Sequence, residues 1–441
     1  MHFWRTLGGI AFWKSRVTIA LSIKINMTEV KIMNEKNEIK AELIYTVISK
    51  KWKIRAHNGI LYVHAGMHWK QLTEQEACIG VYRYFTTNQH PYLKLNNIKD
   101  ALERIKHTPA FQLEFSGEAS EKLINTMSGV FDIEKGKLLE NSEGLEFSYV
   151  LDFKYCTGVQ LSETKYFKKF VESVFPDEPD VKAKLLLQML GYCLSDCTKA
   201  KAAFFLIGAS NSGKSTMLDV LKRLFPENAI SAIPLNRLEN RFNIARLDGK
   251  KLNICTEISE KSFAALDIFK QLTSNEMVTA EHKGKTPFEF RIRCKSINAG
   301  NMLPDLDKVE GMEAVLYRMV LLFFPVSIKK ENQDMELGEK LWMERDKIFS
   351  LAIDELVELK KNNFVFTEPT DSYQTKEQLR ARSTAFDDFI NDTCEKNADY
   401  QCHIAPIYEA FQQYCNQNFI EVKMSRNFFS QKIARIPGVK R

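Results

Sequence analysis

One short stretch narrows what this chain can fold into. The apolar run Ala203-Phe204-Phe205-Leu206-Ile207 reads as a strand buried on both faces, and it runs straight into Gly208-Ala209-Ser210-Asn211-Ser212-Gly213-Lys214-Ser215. Residues 216–225 then read as a helix. The order strand, G-x-x-x-x-G-K-S, helix is the one a phosphate cradle requires. Glycines let successive backbone N–H groups wrap an anion, and the helix N-terminus adds the positive end of its dipole. Lys214 can reach the β- and γ-phosphates of a nucleotide, and the Ser215 hydroxyl can bind Mg²⁺. Gly208 to Thr216 are therefore the expected nucleotide contacts.

A second apolar run, Leu252-Asn253-Ile254-Cys255, follows the Gly249-Lys250 turn and ends in Thr256-Glu257. Hydrolysis at a phosphate cradle needs a carboxylate at the end of a neighbouring strand, where it can polarise water. Glu257 fits that place, although an acid that ends a strand is also an ordinary solvated turn residue. Thr256 stands where many such sites carry a first acid, which leaves the metal more dependent on Ser215, with Asp248 as a possible helper.

The rest of the composition excludes more than it selects. Hydrophobic residues make up 44% and charged residues 27% of 441, the balance of a soluble chain of two to four domains. A net charge of +6 permits a nucleic-acid partner without arguing for one. Cys193 and Cys197 lack the second pair that a zinc site needs, so the nine cysteines read as thiols in a reducing compartment. Arg5, Lys14, Arg16 and Lys24 interrupt the apolar first 26 residues, which read as an extension or a mis-called start before Met27 and not as a membrane span or signal peptide. The expected setting is cytoplasmic, with no membrane partner.

Along the chain, residues 41–72 read as a helix followed by short strands, with Gly59 and Gly66 at turns. Residues 74–107 read as helical, and a small β region surrounds 123–133. Phe167, Phe170, Val171 and Val174, then Leu185, Leu186, Met189, Leu190 and Cys193, recur at helical spacing and predict core-facing stripes. Residues 329–340 and 367–384 are polar and read as spacers on either side of a helix over 341–361.

The series Phe269-Lys270-Gln271-Leu272-Thr273-Ser274, then Val278 to Phe290, then Ala299-Gly300-Asn301-Met302-Leu303-Pro304, taken with the cradle and Glu257, resembles the motifs of superfamily 3 helicases. Within that group the chain is similar to the helicase half of phage and plasmid primase–helicases and to poxvirus-type replication helicases. The resemblance is most specific over 205–325. It implies that His282, Lys283 and Lys285 form a DNA-contacting hairpin tip, a place that the two flanking β-prone runs also support. A solvated hairpin is the plainer alternative. It further implies that Asn301 is the polar sensor at the tip of the strand between the cradle strand and the acidic strand, with Asn298 a lesser rival. Arg318 corresponds to the arginine that a neighbouring subunit offers to the phosphates, although Met319 replaces the second arginine often found there. The other reading of Arg318 is an intrachain ion pair.

The expected fold class is α/β: an AAA+-like P-loop three-layer domain over 200–328. A doubtful extension (1–26), a small mixed α/β region (27–110) and a helicase-preceding domain (111–199) come before it. A linker and helix (329–384) and a helical, winged-helix-like C-terminal domain (385–441) come after. The tail has three short helical patterns and a basic last helix with Arg426, Lys432 and Arg435, ahead of Lys440-Arg441, which suits a DNA binder or a packing element. The resemblance implies ATP and Mg²⁺ as cofactors, single-stranded and forked DNA as partners, a homo-oligomer (a hexamer), and a primase or other replication proteins nearby. Two rivals stay open: an origin-binding initiator that uses ATP as an assembly switch, and an ATPase that remodels protein complexes.

Overall fold

The computed structural model describes residues 39–439 except 88–92, 114–120, 142–143, 259–265, 285, 305, 307–310, 396, 398–399 and 422–423. The 1–26 extension, Lys285, Lys440 and Arg441 therefore lie outside the described residues. Two compact units divide the chain, one comprising Met1–Ser116 with Asn141–Val150, the other Gly117–Glu140 with Leu151–Arg441.

In the first unit, α1 (Ala41–Lys51) leads into an antiparallel sheet of β1 (Ile54–His57), β2 (Ile60–His64) and β3 (Trp69–Leu72), followed by α2 (Glu74–Thr87) and α3 (Leu95–His107). Asn58 and Gly59, both with positive φ, form the two-residue turn between β1 and β2. Ile98, Ala101, Leu102 and Ile105 recur on one face of α3 and are buried against Ile44, Val47 and Ile48 of α1. Ile54 and Ala56 alternate with half-exposed neighbours and complete this core from the sheet.

The second unit opens with a three-stranded meander, β4 (Leu123–Thr126), β5 (Gly129–Asp132) and β6 (Lys137–Leu139). Next come α4 (Lys165–Val174), which buries the predicted Phe167, Phe170, Val171 and Val174, and α5 (Pro179–Leu194). The Glu344 carboxylate accepts the Tyr166 and Phe167 N–H groups at 2.9–3.0 Å and so caps the positive end of α4.

A parallel five-stranded sheet forms the centre of this unit. Its strands alternate with helices: β7 (Ala203–Gly208), α6 (Lys214–Lys222), β8 (Ile230–Ser231), α7 (Arg241–Ile244), β9 (Leu252–Cys255) and α8 (Leu266–Ser274). An antiparallel hairpin of β10 (Met277–Ala280) and β11 (Phe288–Arg291) interrupts the alternation before β12 (Lys295–Gly300), α9 (Met312–Leu316) and β13 (Met319–Phe324). The order across the sheet is β13-β7-β12-β9-β8. Five consecutive residues of β7 are fully buried, as its unbroken apolar run requires.

Four helices follow: α10 (Leu337–Met343), α11 (Arg345–Lys361), α12 (Thr370–Thr393) and α13 (Ile404–Gln417), before α14 (Arg426–Ile433). α5 and α11 approach so closely that a Cβ at Gly191 would run into the Ala352 carbonyl. Ile348, Ala352, Ile353 and Leu356 of α11 are all fully buried.

The polar stretches have different fates from those their composition suggested. The end of 329–340 belongs to α10, which buries Leu341 and holds Glu339 on Arg223, just past the end of α6, at 2.8 Å. α12 runs unbroken through 370–384, where spacer was expected. Its start is fixed by four bonds to residues distant in sequence. Glu178 accepts the Thr370 N–H and hydroxyl, Ser372 donates to the Leu321 carbonyl at 2.9 Å, and Asp371 pairs with buried Lys182 at 2.6 Å. A buried ammonium needs such a partner, and low hydropathy therefore did not mean a loose chain here. The tail is helical, with Phe386, Phe389, Phe411 and Phe429 of α12, α13 and α14 packed together. Among the described residues no strand follows β13, so no wing is formed there. Among them also, no helix is long and apolar enough to cross a membrane.

Candidate functional site

Parallel strands end together, so the residues that follow β7, β9 and β12 meet at one edge of the sheet. The register aligns Gly300 with Ile207, and Asn298 with both Phe205 and Cys255. Glu257 follows two residues after the end of β9, and Asn301 directly after the end of β12. The sequence-predicted sensor strand thus does lie between the cradle strand and the acidic strand. Glu257 and Asn301 are both exposed at this edge.

The glycine loop leaves β7 at Gly208, where a Cβ would collide with the Phe324 carbonyl of the neighbouring β13. Asn211 (φ +60°) and Gly213 (φ +92°) turn the chain back in left-handed conformations. A Cβ at Gly213 would also lie 2.7 Å from Phe170 of α4, so α4 backs the loop tightly. Lys214 opens α6 and folds its ammonium into the loop, donating to the carbonyls of Gly208 (2.6 Å) and Ala209 (2.7 Å) and to Ser212 Oγ (2.9 Å). Burial holds its pKa below the usual lysine value. Ser210 and Ser215 are exposed, and Thr216 is half-buried behind them. The loop therefore surrounds a fixed cation with turned backbone and presents the exposed Ser215 hydroxyl in the first helical turn, a donor set that fits a phosphate chain and one hard metal ion.

Beside the loop is a cavity of about 510 Å³ that Gly208, Ala209, Asn301 and Met302 share with Asp371 and Thr375 of α12. Nothing in the sequence marked Asp371 and Thr375 as part of this edge, because α12 arrives from more than a hundred residues further along the chain.

Arg318 belongs to the opposite edge. Its carbonyl accepts the Ala203 N–H at the start of β7, whereas Gly208 pairs with Phe324 at the far end. Five residues of strand separate the two levels by about 17 Å, beyond the reach of an arginine side chain. Arg318 Nη1 donates to the Ala314 carbonyl at 2.8 Å, and its buried Nε finds no hydrogen-bond partner among the described residues. Tyr317 next to it is 72% exposed.

The β10–β11 hairpin places His282 and Lys283 at its tip, and Lys285 lies outside the described residues. Glu281 is held by Arg241 at 3.0 Å, the His282 ring stacks on Phe288 at 5.1 Å, and Phe288 stacks on Phe290. Gly284 has φ +77°, and Lys283 beside it is exposed. Among the described basic residues of the tail, Lys432 lies 5.0 Å over the Phe386 ring, while Arg426 and Arg435 are exposed.

Comparison with known proteins gives two family matches: "D5 N terminal like" over residues 41–176, and a family of unknown function, DUF5906, over 206–312. The chain is 22% identical over 322 residues to "Putative helicase L207/L206" of Acanthamoeba polyphaga mimivirus, covering 67% of this chain and 33% of that protein. It thus spans about a third of the length of the curated relative it matches. Among solved structures, the apo C-terminal region of NrS-1 aligns over 90% of this chain and 94% of that one, with 12% identity and a TM-score of 0.46. A second form of the same region gives 14% identity and 0.45, over 89% and 93% of the two chains.

The two asparagines of β12 and its tip separate cleanly. Asn298 is 1% exposed and donates to the Phe204 carbonyl and to Ser296 Oγ, at 3.3 and 3.1 Å. Asn298→Ala should cost about 1–3 kcal/mol of stability, because it strands buried groups. Asn301→Ala at the exposed tip should stay within about 0.5 kcal/mol of the parent. Urea unfolding of both variants checks this, and equal losses would contradict the assignment of Asn301 to the open edge.

Proposed function

We propose that this chain is an ATP-driven DNA helicase of the superfamily 3 type, moving along single-stranded DNA during replication of a phage, plasmid or integrated mobile element. The carrying observation is the strand order β13-β7-β12-β9-β8, which sets the glycine loop, Glu257 and Asn301 on one edge of a parallel sheet. The D5 N terminal like match and the helicase named among its relatives support a replication setting.

In this reading the domain is a P-loop ATPase of the AAA+ kind. Residues Gly208 to Thr216 hold the phosphates of ATP, with the Lys214 ammonium exchanging loop oxygens for phosphate oxygens. Ser215 would hold Mg²⁺, which when bound supplies charge neutralisation at the transferred phosphoryl group. Glu257 polarises the attacking water, and the Asn301 amide orients it. Arg318 is too far from its own loop, so it serves the site of the next subunit. A heterologous contact of this kind closes into a ring, here a hexamer. His282, Lys283 and Lys285 contact the DNA backbone from the hairpin, and the basic end of the helical tail adds a second contact. Forked DNA is the natural substrate and a primase the natural companion.

Lys214→Ala should abolish turnover. Glu257→Gln should keep ATP binding and lose hydrolysis by about a hundredfold or more, since an amide cannot take up the water's proton. Phosphate release with ATP binding measured in parallel checks both. Turnover at the parental rate in Glu257→Gln would remove that residue from the chemistry.

Arg318 has a separate test. Arg318→Ala keeps an intact loop and Lys214→Ala an intact arginine, so mixing the two inactive proteins should restore part of the ATPase. Mixed oligomers verified with labelled subunits that stay inactive would return Arg318 to a structural role.

A further inference from the structure

Among the described residues of 203–328, the two most exposed large apolar side chains are Tyr317, at 72%, and Met302, at 54%. Single exposed apolar side chains are ordinary on a protein surface. What sets these two apart is their position at opposite edges of one parallel sheet. Met302 follows Asn301 past the end of β12, beside the glycine loop. Tyr317 closes α9 next to Arg318, its N–H held by the Glu313 carbonyl at 2.9 Å.

Met302 forms part of the wall of the cavity of about 510 Å³ beside the loop, together with Leu303, Phe323 and Pro325. Asp371 adds a carboxylate to this apolar wall. Its Oδ2 accepts from Lys182 at 2.6 Å. The Ser372 hydroxyl lies 3.3 Å from Oδ1, but its single proton is directed at the Leu321 carbonyl, at 2.9 Å. Oδ1 therefore keeps the capacity to accept another hydrogen bond. Apolar walls with one acceptor suit a tyrosine, whose ring gains from burial and whose hydroxyl then needs a partner. A methionine sulfur in the wall adds a favourable contact with the ring.

The chain's own Tyr317 cannot supply that ring. It precedes Arg318, which is already about 17 Å from the level of Gly208 along the strands. A second copy can supply it. Neighbouring residues have Cα atoms about 3.8 Å apart, so Tyr317 and Arg318 together need two adjoining seats. The cavity and the loop adjoin, because Gly208 and Ala209 belong to both.

We propose that Tyr317 of one protomer seats in the cavity of the next, its ring on Met302 and Pro325 and its hydroxyl on the Asp371 carboxylate, and so sets Arg318 at the phosphates held by the neighbouring loop. The seat rests on the reading of Arg318 as the arginine that serves the next subunit. It makes Tyr317 a positioning residue of the nucleotide site.

Cross-linking between copies tests the seat. The exposed Cys156 and Cys402 are first changed to Ser, and Tyr317→Cys and Met302→Cys are made separately in that background. The two proteins are mixed with Mg²⁺ and a non-hydrolysable ATP analogue and treated with a short bis-maleimide, because a ring seated on a thioether holds the backbones further apart than a disulfide spans. A covalent dimer joining positions 317 and 302, identified by mass spectrometry, should form in the mixture and in neither protein alone. In parallel, Tyr317→Ala should lower kcat by about tenfold or more, since a displaced arginine loses much of its effect on the transferred phosphoryl group. Tyr317→Phe should stay within about threefold of the parent, the difference one neutral hydrogen bond makes. Both substitutions are at an exposed position and should keep the parental unfolding temperature. No cross-link, where mixed Arg318→Ala and Lys214→Ala proteins do regain ATPase, overturns the seat and leaves the arginine reading standing; this is the outcome expected if the nucleotide itself fills the cavity. No cross-link and no regained ATPase overturns both. Parental kcat in Tyr317→Ala overturns the positioning role.

Discussion

The second unit depends on one strand being buried on both faces while ending in an open loop. β7 lies between β13 and β12, and its apolar residues are fully covered, so its C-terminal end cannot shift. Gly208 permits the close pass against Phe324, Gly213 the left-handed turn against Phe170, and Lys214 ties the loop back on itself through three oxygens. A larger residue at either glycine would push the loop off its neighbours. The shape of the loop is thus a packing result before it is an electrostatic one.

From this fixed end the other parts take their places by register. β12 pairs with β7 and β9 at once, which puts Asn301 and Glu257 on the same edge as the loop and Arg318 on the far edge. α12 then connects regions distant in sequence. It begins with Asp371 at the cavity beside the loop, bonds Glu313 of α9 through Arg380 at 2.9 Å, and ends in the aromatic packing of the tail. The helix that carries the tail therefore also touches the element leading into Arg318.

Much of this edge was legible in the sequence, for physical reasons. A strand buried on both faces has to be continuously apolar, so Ala203 to Ile207 announce themselves, and the loop glycines follow from backbone geometry. The hairpin was readable because β-prone runs flank Gly284, and the α4 and α5 stripes because burial repeats at helical spacing. Strand order was not readable from periodicity, since it depends on pairings between distant segments, and it entered through resemblance. α12 was misread because Ser372, Thr375 and Lys376 are polar residues held by specific partners, and composition cannot distinguish a bonded hydroxyl from a solvated one.

The central claim is that nucleotide turnover at the β7 edge is linked to a DNA strand. Steady-state phosphate release by the intact chain with Mg²⁺ and ATP, measured with and without a single-stranded oligonucleotide, tests it most directly. The account predicts measurable hydrolysis that rises several-fold when the strand is added. Absence of hydrolysis, or a rate indifferent to saturating DNA, would contradict it.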